Sequence, residues 1–192
     1  MILAGVGGQG NVLSARILAE TAMRAGYSVK TSEVHGMAQR GGSVVCMVRW
    51  GREVYSPLIP RGRADFLLAY ELLEGLRFLE YLRPGGTVLV NEYRLDPLPV
   101  LRGDAAYPEE SLELLREAAG NCVVLRARDL ATEAGSTRAV GTVMLGALSA
   151  FLEFPDNAWE ESLRERIPPK ALEANLRAFV LGRKATGERS GR

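Results

Sequence analysis

Histidine and cysteine are scarce in this 192-residue chain, which has one histidine and two cysteines. Cys46 and Cys122 are far apart in sequence and form no CxxC or Cys/His spacing. That excludes a cysteine-ligated iron–sulfur cluster or a structural zinc within the chain. Two cysteines do not make a disulfide scaffold, which favours a reducing compartment. An excess of one charge sign is also missing: 24 Lys+Arg against 23 Asp+Glu leave a formal net charge of +1. Nothing in that balance marks a nucleic-acid or membrane-surface partner. No apolar run reaches the roughly 20 residues needed to span a bilayer. The longest, residues 139–152, contains Gly, Thr and Ser. Residues 1–6 are apolar without a charged leader, so no signal peptide is expected. The expectation is a cytoplasmic chain of one domain.

What is present reads as alternating strands and helices. Residues 2–4 form a short apolar strand and 5–10 a glycine-rich turn. Residues 11–25 are a helix with Arg16, Glu20 and Arg24 in one polar stripe and Gly26 as the stop. A second strand is expected over 27–32 and a second glycine-rich loop over 36–42. Residues 43–50 and 53–55 flank Gly51-Arg52, a hairpin signal. Residues 66–70, 87–91 and 122–126 read as further strands, with helices over 71–82 and 108–119. Residues 139–152 are apolar on nearly every face and belong in the core or against a partner. Asn157 and Glu160 suggest a capping box for the next helix. A last helix restarts at Pro168-Pro169 and is expected to stop at Gly182. The fold class expected is α/β: a single three-layer domain over 1–182 with a mostly parallel Rossmann-like sheet. It carries an antiparallel hairpin and a helical C-terminal third, and 183–192 is expected to be a disordered tail.

Two loops gather the polar chemistry. Gly5, Gly7 and Gly10 satisfy GxGxxG between a strand and a helix, offering a tight turn and free N–H groups suited to phosphate. A dinucleotide fingerprint also needs an acidic residue about 20 positions later; Glu33 is the only candidate and comes late. The turn therefore suits a nicotinamide or flavin dinucleotide, another phosphate-bearing ligand, or a purely structural role. The second loop, residues 32–43, brings Glu33, His35, Gln39 and Arg40 up to Gly41 and Gly42. Arg40 and the glycine N–H groups could hold one anion; alternatively Arg40 pairs with Glu33 and the glycines permit a turn. His35 would have to carry any histidine-dependent step, but no nucleophile adjoins it in sequence. GxSxG and P-loop patterns are absent. Cys46, within the apolar run 44–48, reads as core, and Arg61-Gly62-Arg63 as a solvated turn.

Gly5-Val6-Gly7-Gly8-Gln9-Gly10 and Ser32-Glu33-Val34-His35-Gly36-Met37-Ala38-Gln39-Arg40-Gly41-Gly42 together resemble the gamma-type domain of 2-oxoacid:ferredoxin oxidoreductases. The likeness is to the indolepyruvate branch, where this domain is the small (beta) subunit. His35-Gly36 and Gln39 stand where pyruvate and 2-oxoglutarate relatives carry tyrosine-glycine and an acidic residue. Residues 53–59, 83–87, 144–148 and 167–170 extend the resemblance over 2–182. It departs in a short first strand and in Asn11, where a small or apolar residue is expected. The resemblance implies a subunit, inactive alone, that supports oxidative decarboxylation of a 2-oxoacid to an acyl-CoA, with electrons passed to ferredoxin. It implies thiamine diphosphate and iron–sulfur clusters on a larger partner subunit. It further implies that Gly7, Gly8, Gln9, Gly10, Arg40, Gly41 and Gly42 line the face toward the active site and contact coenzyme A, with no catalytic residue and no metal on this chain. The alternatives are an NAD(P)-binding oxidoreductase domain and a non-catalytic dinucleotide-binding assembly module.

Overall fold

The computed structural model describes residues 1–36 and 41–187. Six strands, β1 (Ile2–Val6), β2 (Ser28–His35), β3 (Ser43–Gly51), β4 (Ala64–Ala69), β5 (Leu82–Asn91) and β6 (Asn121–Leu125), form one sheet in the order β2-β3-β1-β4-β5-β6. β3 is antiparallel to both neighbours, whereas β1–β4, β4–β5 and β5–β6 are parallel. The helices are α1 (Asn11–Arg24), α2 (Leu72–Arg77), α3 (Leu98–Leu101), α4 (Ser111–Ala118), α5 (Ala127–Glu133), α6 (Val140–Ser149), α7 (Asp156–Arg166) and α8 (Pro169–Gly187). Strand alternation sends Leu3, Cys46, Leu68 and Leu89 to the face covered by α1 and α5–α8. Ile2, Ala4, Met47 and Val88 face α2 and α4 on the other side. Three layers result, as expected.

The winding of the chain sets the position of the site. The β1–α1–β2 connection covers one face and moves outward in one direction. The β4–α2–β5 and β5–α4–β6 connections cover the other face and move the opposite way, as right-handed crossovers require. The reversal falls between β1 and β4. Open α/β sheets bind ligands at the carboxyl ends of strands at such a switch point.

Several local expectations are corrected. The antiparallel hairpin joins β2 to β3 and does not involve residues 53–55. β3 already has β1 on one edge and β2 on the other, so nothing remains for residues 53–55 to pair with. The segment after β3 instead runs as irregular chain, held where Arg49 donates to the carbonyls of Ser56 (2.9 Å) and Leu58 (3.0 Å). Residues 32–35 are strand rather than loop; as part of an uncovered edge strand they need no apolar alternation. Residues 71–82 break into α2 and a 3-10 turn, Leu79–Tyr81. The Asn157–Glu160 box does not form, because Pro155 precedes α7 and Glu160 instead accepts from Arg164 (2.6 Å). α8 passes through Gly182 to Gly187, and residues 188–192 lie outside the described residues. α6 is no docking face, since α8 covers it directly: a Cβ on Gly146 would overlap the Phe179 carbonyl, and one on Gly182 the Val143 carbonyl.

Candidate functional site

The first glycine turn leaves β1 under tight local constraint. Gly5 is still strand, and a Cβ there would come within 2.9 Å of both Gln9 Oε1 and Tyr70 Cβ. Gly8 and Gly10 have φ of 105° and 91°, the left-handed region that glycine enters at no steric cost. Gln9 closes the turn on itself: its Oε1 accepts from Val6 N–H (2.8 Å) and its own N–H donates to Val6 O (3.1 Å). α1 then starts with Gly10 at its cap and no side-chain cap, so its first-turn N–H groups remain available. Asn11, the departure noted in sequence, donates a buried hydrogen bond to Val44 O (2.8 Å) and ties the turn to β3.

The second glycine loop returns to the same place. Gly7 N–H donates to Gly42 O (2.9 Å), and Gly41 N–H to Gly7 O (3.4 Å). The structure thus brings together Gly7, Gly8, Gln9, Gly10, Gly41 and Gly42; Arg40 lies outside the described residues. Ser43 donates to the buried Glu74 carboxylate, which fixes the start of β3 to α2. Glu33 does not occupy the dinucleotide-binding place: β3 separates β2 from β1, and Glu33 lies 3.9 Å from Arg16.

Two clefts flank the turn. One, of about 450 Å³, is bordered by Gly7, Asn11, Arg16, Glu33 and His35. There His35 is exposed and its Nδ1 lies 3.3 Å from Gly36 O. The other, of about 440 Å³, opens at the switch point and is bordered by Gly8, Gly10, Tyr70, Asn91, Arg128 and Arg138. Asn91 is structural there, donating to Tyr70 O (3.2 Å) and accepting from Ala127 N–H (3.0 Å). Tyr70 is fully buried, and its hydroxyl has no hydrogen-bond partner of ordinary geometry among the described residues. Burial raises its pKa well above the phenol range, partly offset by the Ser14 hydroxyl, so it stays neutral. Sequence reading missed Tyr70, Asn91, Tyr93, Arg128 and Arg138 because they come from four separate segments. The one available signal was that Tyr70 and Asn91 end apolar strands, where α/β folds place ligands.

The cysteines cannot share a cluster. Cys46 is on β3 and Cys122 on β6, four strand spacings or roughly 19 Å apart. Burial also pushes the Cys46 thiol up to about 12. Among the described residues no group of three or more His, Cys, Asp or Glu could hold a metal ion.

A family model described as pyruvate ferredoxin/flavodoxin oxidoreductase matches residues 1–185. The chain belongs to this family. It is 41% identical over 196 aligned residues to the indolepyruvate oxidoreductase subunit IorB of Thermococcus kodakarensis, covering 100% of this chain and 97% of that one. Its fold is that of the keto/oxoacid ferredoxin oxidoreductase gamma subunit from Geobacter sulfurreducens, with TM-score 0.73, 24% identity and 97% of both chains covered. A third relative is the 2-oxoglutarate:ferredoxin oxidoreductase from Magnetococcus marinus, solved with 2-oxoglutarate, coenzyme A and succinyl-CoA bound. It superposes with TM-score 0.72 at 23% identity, over 97% of this chain and 30% of that chain. Among the described residues no helix is long and apolar enough to cross a membrane.

Proposed function

We propose that the chain is the small subunit of an indolepyruvate (arylpyruvate):ferredoxin oxidoreductase, working in the cytoplasm with a larger subunit. The observation that carries this reading is the whole-length similarity to a subunit of that name. In this reading the larger subunit holds thiamine diphosphate and iron–sulfur clusters, which supply decarboxylation and electron transfer to ferredoxin. A cysteine-ligated cluster does not suit the present chain, whose two thiols lie on distant strands.

Coenzyme A does suit it. Gly8 and Gly10 present backbone N–H groups and an uncapped helix start, the chemistry that takes phosphate, while the Gly7 N–H is spent on Gly42 O. Gly41 and Gly42 are hydrogen-bonded to the same turn. Gln9 braces the turn through its side-chain oxygen, which accepts from Val6 N–H, and also borders the switch-point cleft. The chain's own work is then to orient the thiol cosubstrate while the partner performs the redox steps.

The NAD(P) reading loses its acidic partner, because β3 intervenes between Glu33 and β1. Thermal melting of the complex with coenzyme A and with NAD separates the two. A ligand at 100 times its Kd stabilises by about 2.7 kcal/mol, so coenzyme A should raise the melting temperature and NAD should not. A rise with NAD alone would overturn the assignment.

A further inference from the structure

The cleft at the switch point contains cations and no anions. Arg128 and Arg138 both border it, and no Asp or Glu does. Elsewhere the arginines are widely paired: Arg24 meets three carboxylates, and Arg94 reaches Asp96 (2.6 Å) and Glu109 (2.8 Å). Even Arg126, two residues from Arg128, pairs with Glu92 at 3.1 Å. Arg128 and Arg138 have no carboxylate partner among the described residues. Two guanidinium groups beside one cleft repel each other unless an anion joins them.

Their backbone is also fixed relative to the glycine turn. Arg128 is the second residue of α5, whose first N–H is held by Asn91 at the end of β5. Arg138 lies in the 3-10 turn Thr137–Ala139, which leads into α6. There Gly141 fits so closely that an added Cβ would lie 2.9 Å from Ser14 Oγ and 3.5 Å from Gly10 O. Tyr93 borders the same cleft, with its ring centroid 6.0 Å from the Arg128 guanidinium. An aromatic face beside two unpaired guanidiniums offers what a nucleotide with a terminal phosphate would use.

We infer that Arg128 and Arg138 clamp the 3′-phosphate of coenzyme A, leaving the pyrophosphate to the N–H groups of the glycine turn. A phosphomonoester carries about −1.5 to −2 at pH 7, which two guanidinium forks match. This rests on the reading that the subunit receives coenzyme A.

The test uses the assembled complex, with 2-oxoacid-dependent turnover measured against coenzyme A and against 3′-dephospho-coenzyme A. Wild type should show a KM at least about tenfold higher for the dephospho form. The double variant Arg128→Ala/Arg138→Ala should show the higher KM for both thiols, with KM for the 2-oxoacid unmoved and an unchanged circular dichroism melt. Arg→Lys at both positions should restore part of the preference. A double variant that keeps the full preference for coenzyme A overturns the clamp. So does an equal rise in both KM values, which would move the arginines to the pyrophosphate. Absence of any coenzyme A-dependent turnover in wild type would instead overturn the subunit assignment itself.

Discussion

Glu74 is almost wholly buried in α2, where it accepts from the Ser43 hydroxyl and pairs with Arg77 at 3.1 Å. Burial raises its pKa above the ordinary 4.5; Ser43 and Arg77 pull it back, and the Glu71 charge adds to the rise. A carboxyl raised in the folded state favours the protonated native form. Its stabilising share is complete below the unfolded value and is lost as pH climbs through the folded one. Glu74→Gln should therefore gain stability relative to wild type as pH rises from the ordinary 4.5 towards neutrality, read from urea melts at each pH. A difference that stays constant across that range would contradict the account. Residues of this kind were not legible in the sequence. Read alone, Asn11 is a departure that weakens the first loop; folded, it secures that loop to Val44. Gln9 reads as a ligand contact; folded, its side-chain oxygen also braces the turn through Val6 N–H. Arg128 and Arg138 carry no motif, because their meaning comes from a cleft assembled by distant segments.

The α6–α8 crossing shows which features at the scale of elements sequence can reveal. The apolar content of residues 139–152 correctly marks a buried helix, but not what buries it. Gly182 reads as a helix stop, since glycine commonly ends helices. In the fold it lies inside α8 because only hydrogen fits against the Val143 carbonyl. Gly146 plays the same part against Phe179. Gly146→Ala adds a methyl where backbone already touches backbone, and overpacking of this kind costs about 1–3 kcal/mol. The expected result is a lower urea midpoint with an unchanged m-value; an unchanged midpoint would mean that the helices are not in backbone contact. The same ambiguity explains the hairpin. Gly51-Arg52 is a sound turn signal, but strand order decides whether an edge is free, and β3 has none. Strand existence was readable from apolar runs, whereas strand order depends on long-range pairing that no local pattern encodes.

At the scale of the molecule, the near-neutral and cysteine-poor composition fits the proposal of a subunit that orients a cosubstrate and leaves redox chemistry to another chain. The glycine turns, legible from spacing alone, do meet: Gly7 and Gly42 share a hydrogen bond at the carboxyl edge of the sheet. What spacing could not supply is the second wall of the site, built from the ends of β4 and β5 and the starts of α5 and α6. The most direct measurement mixes separately purified small and larger subunits and follows ferredoxin reduction with indolepyruvate, with and without coenzyme A. The account predicts coenzyme A-dependent reduction by the mixture and none by the small subunit alone. Full coenzyme A-dependent activity from the larger subunit alone, unaltered when this chain is added, would contradict it.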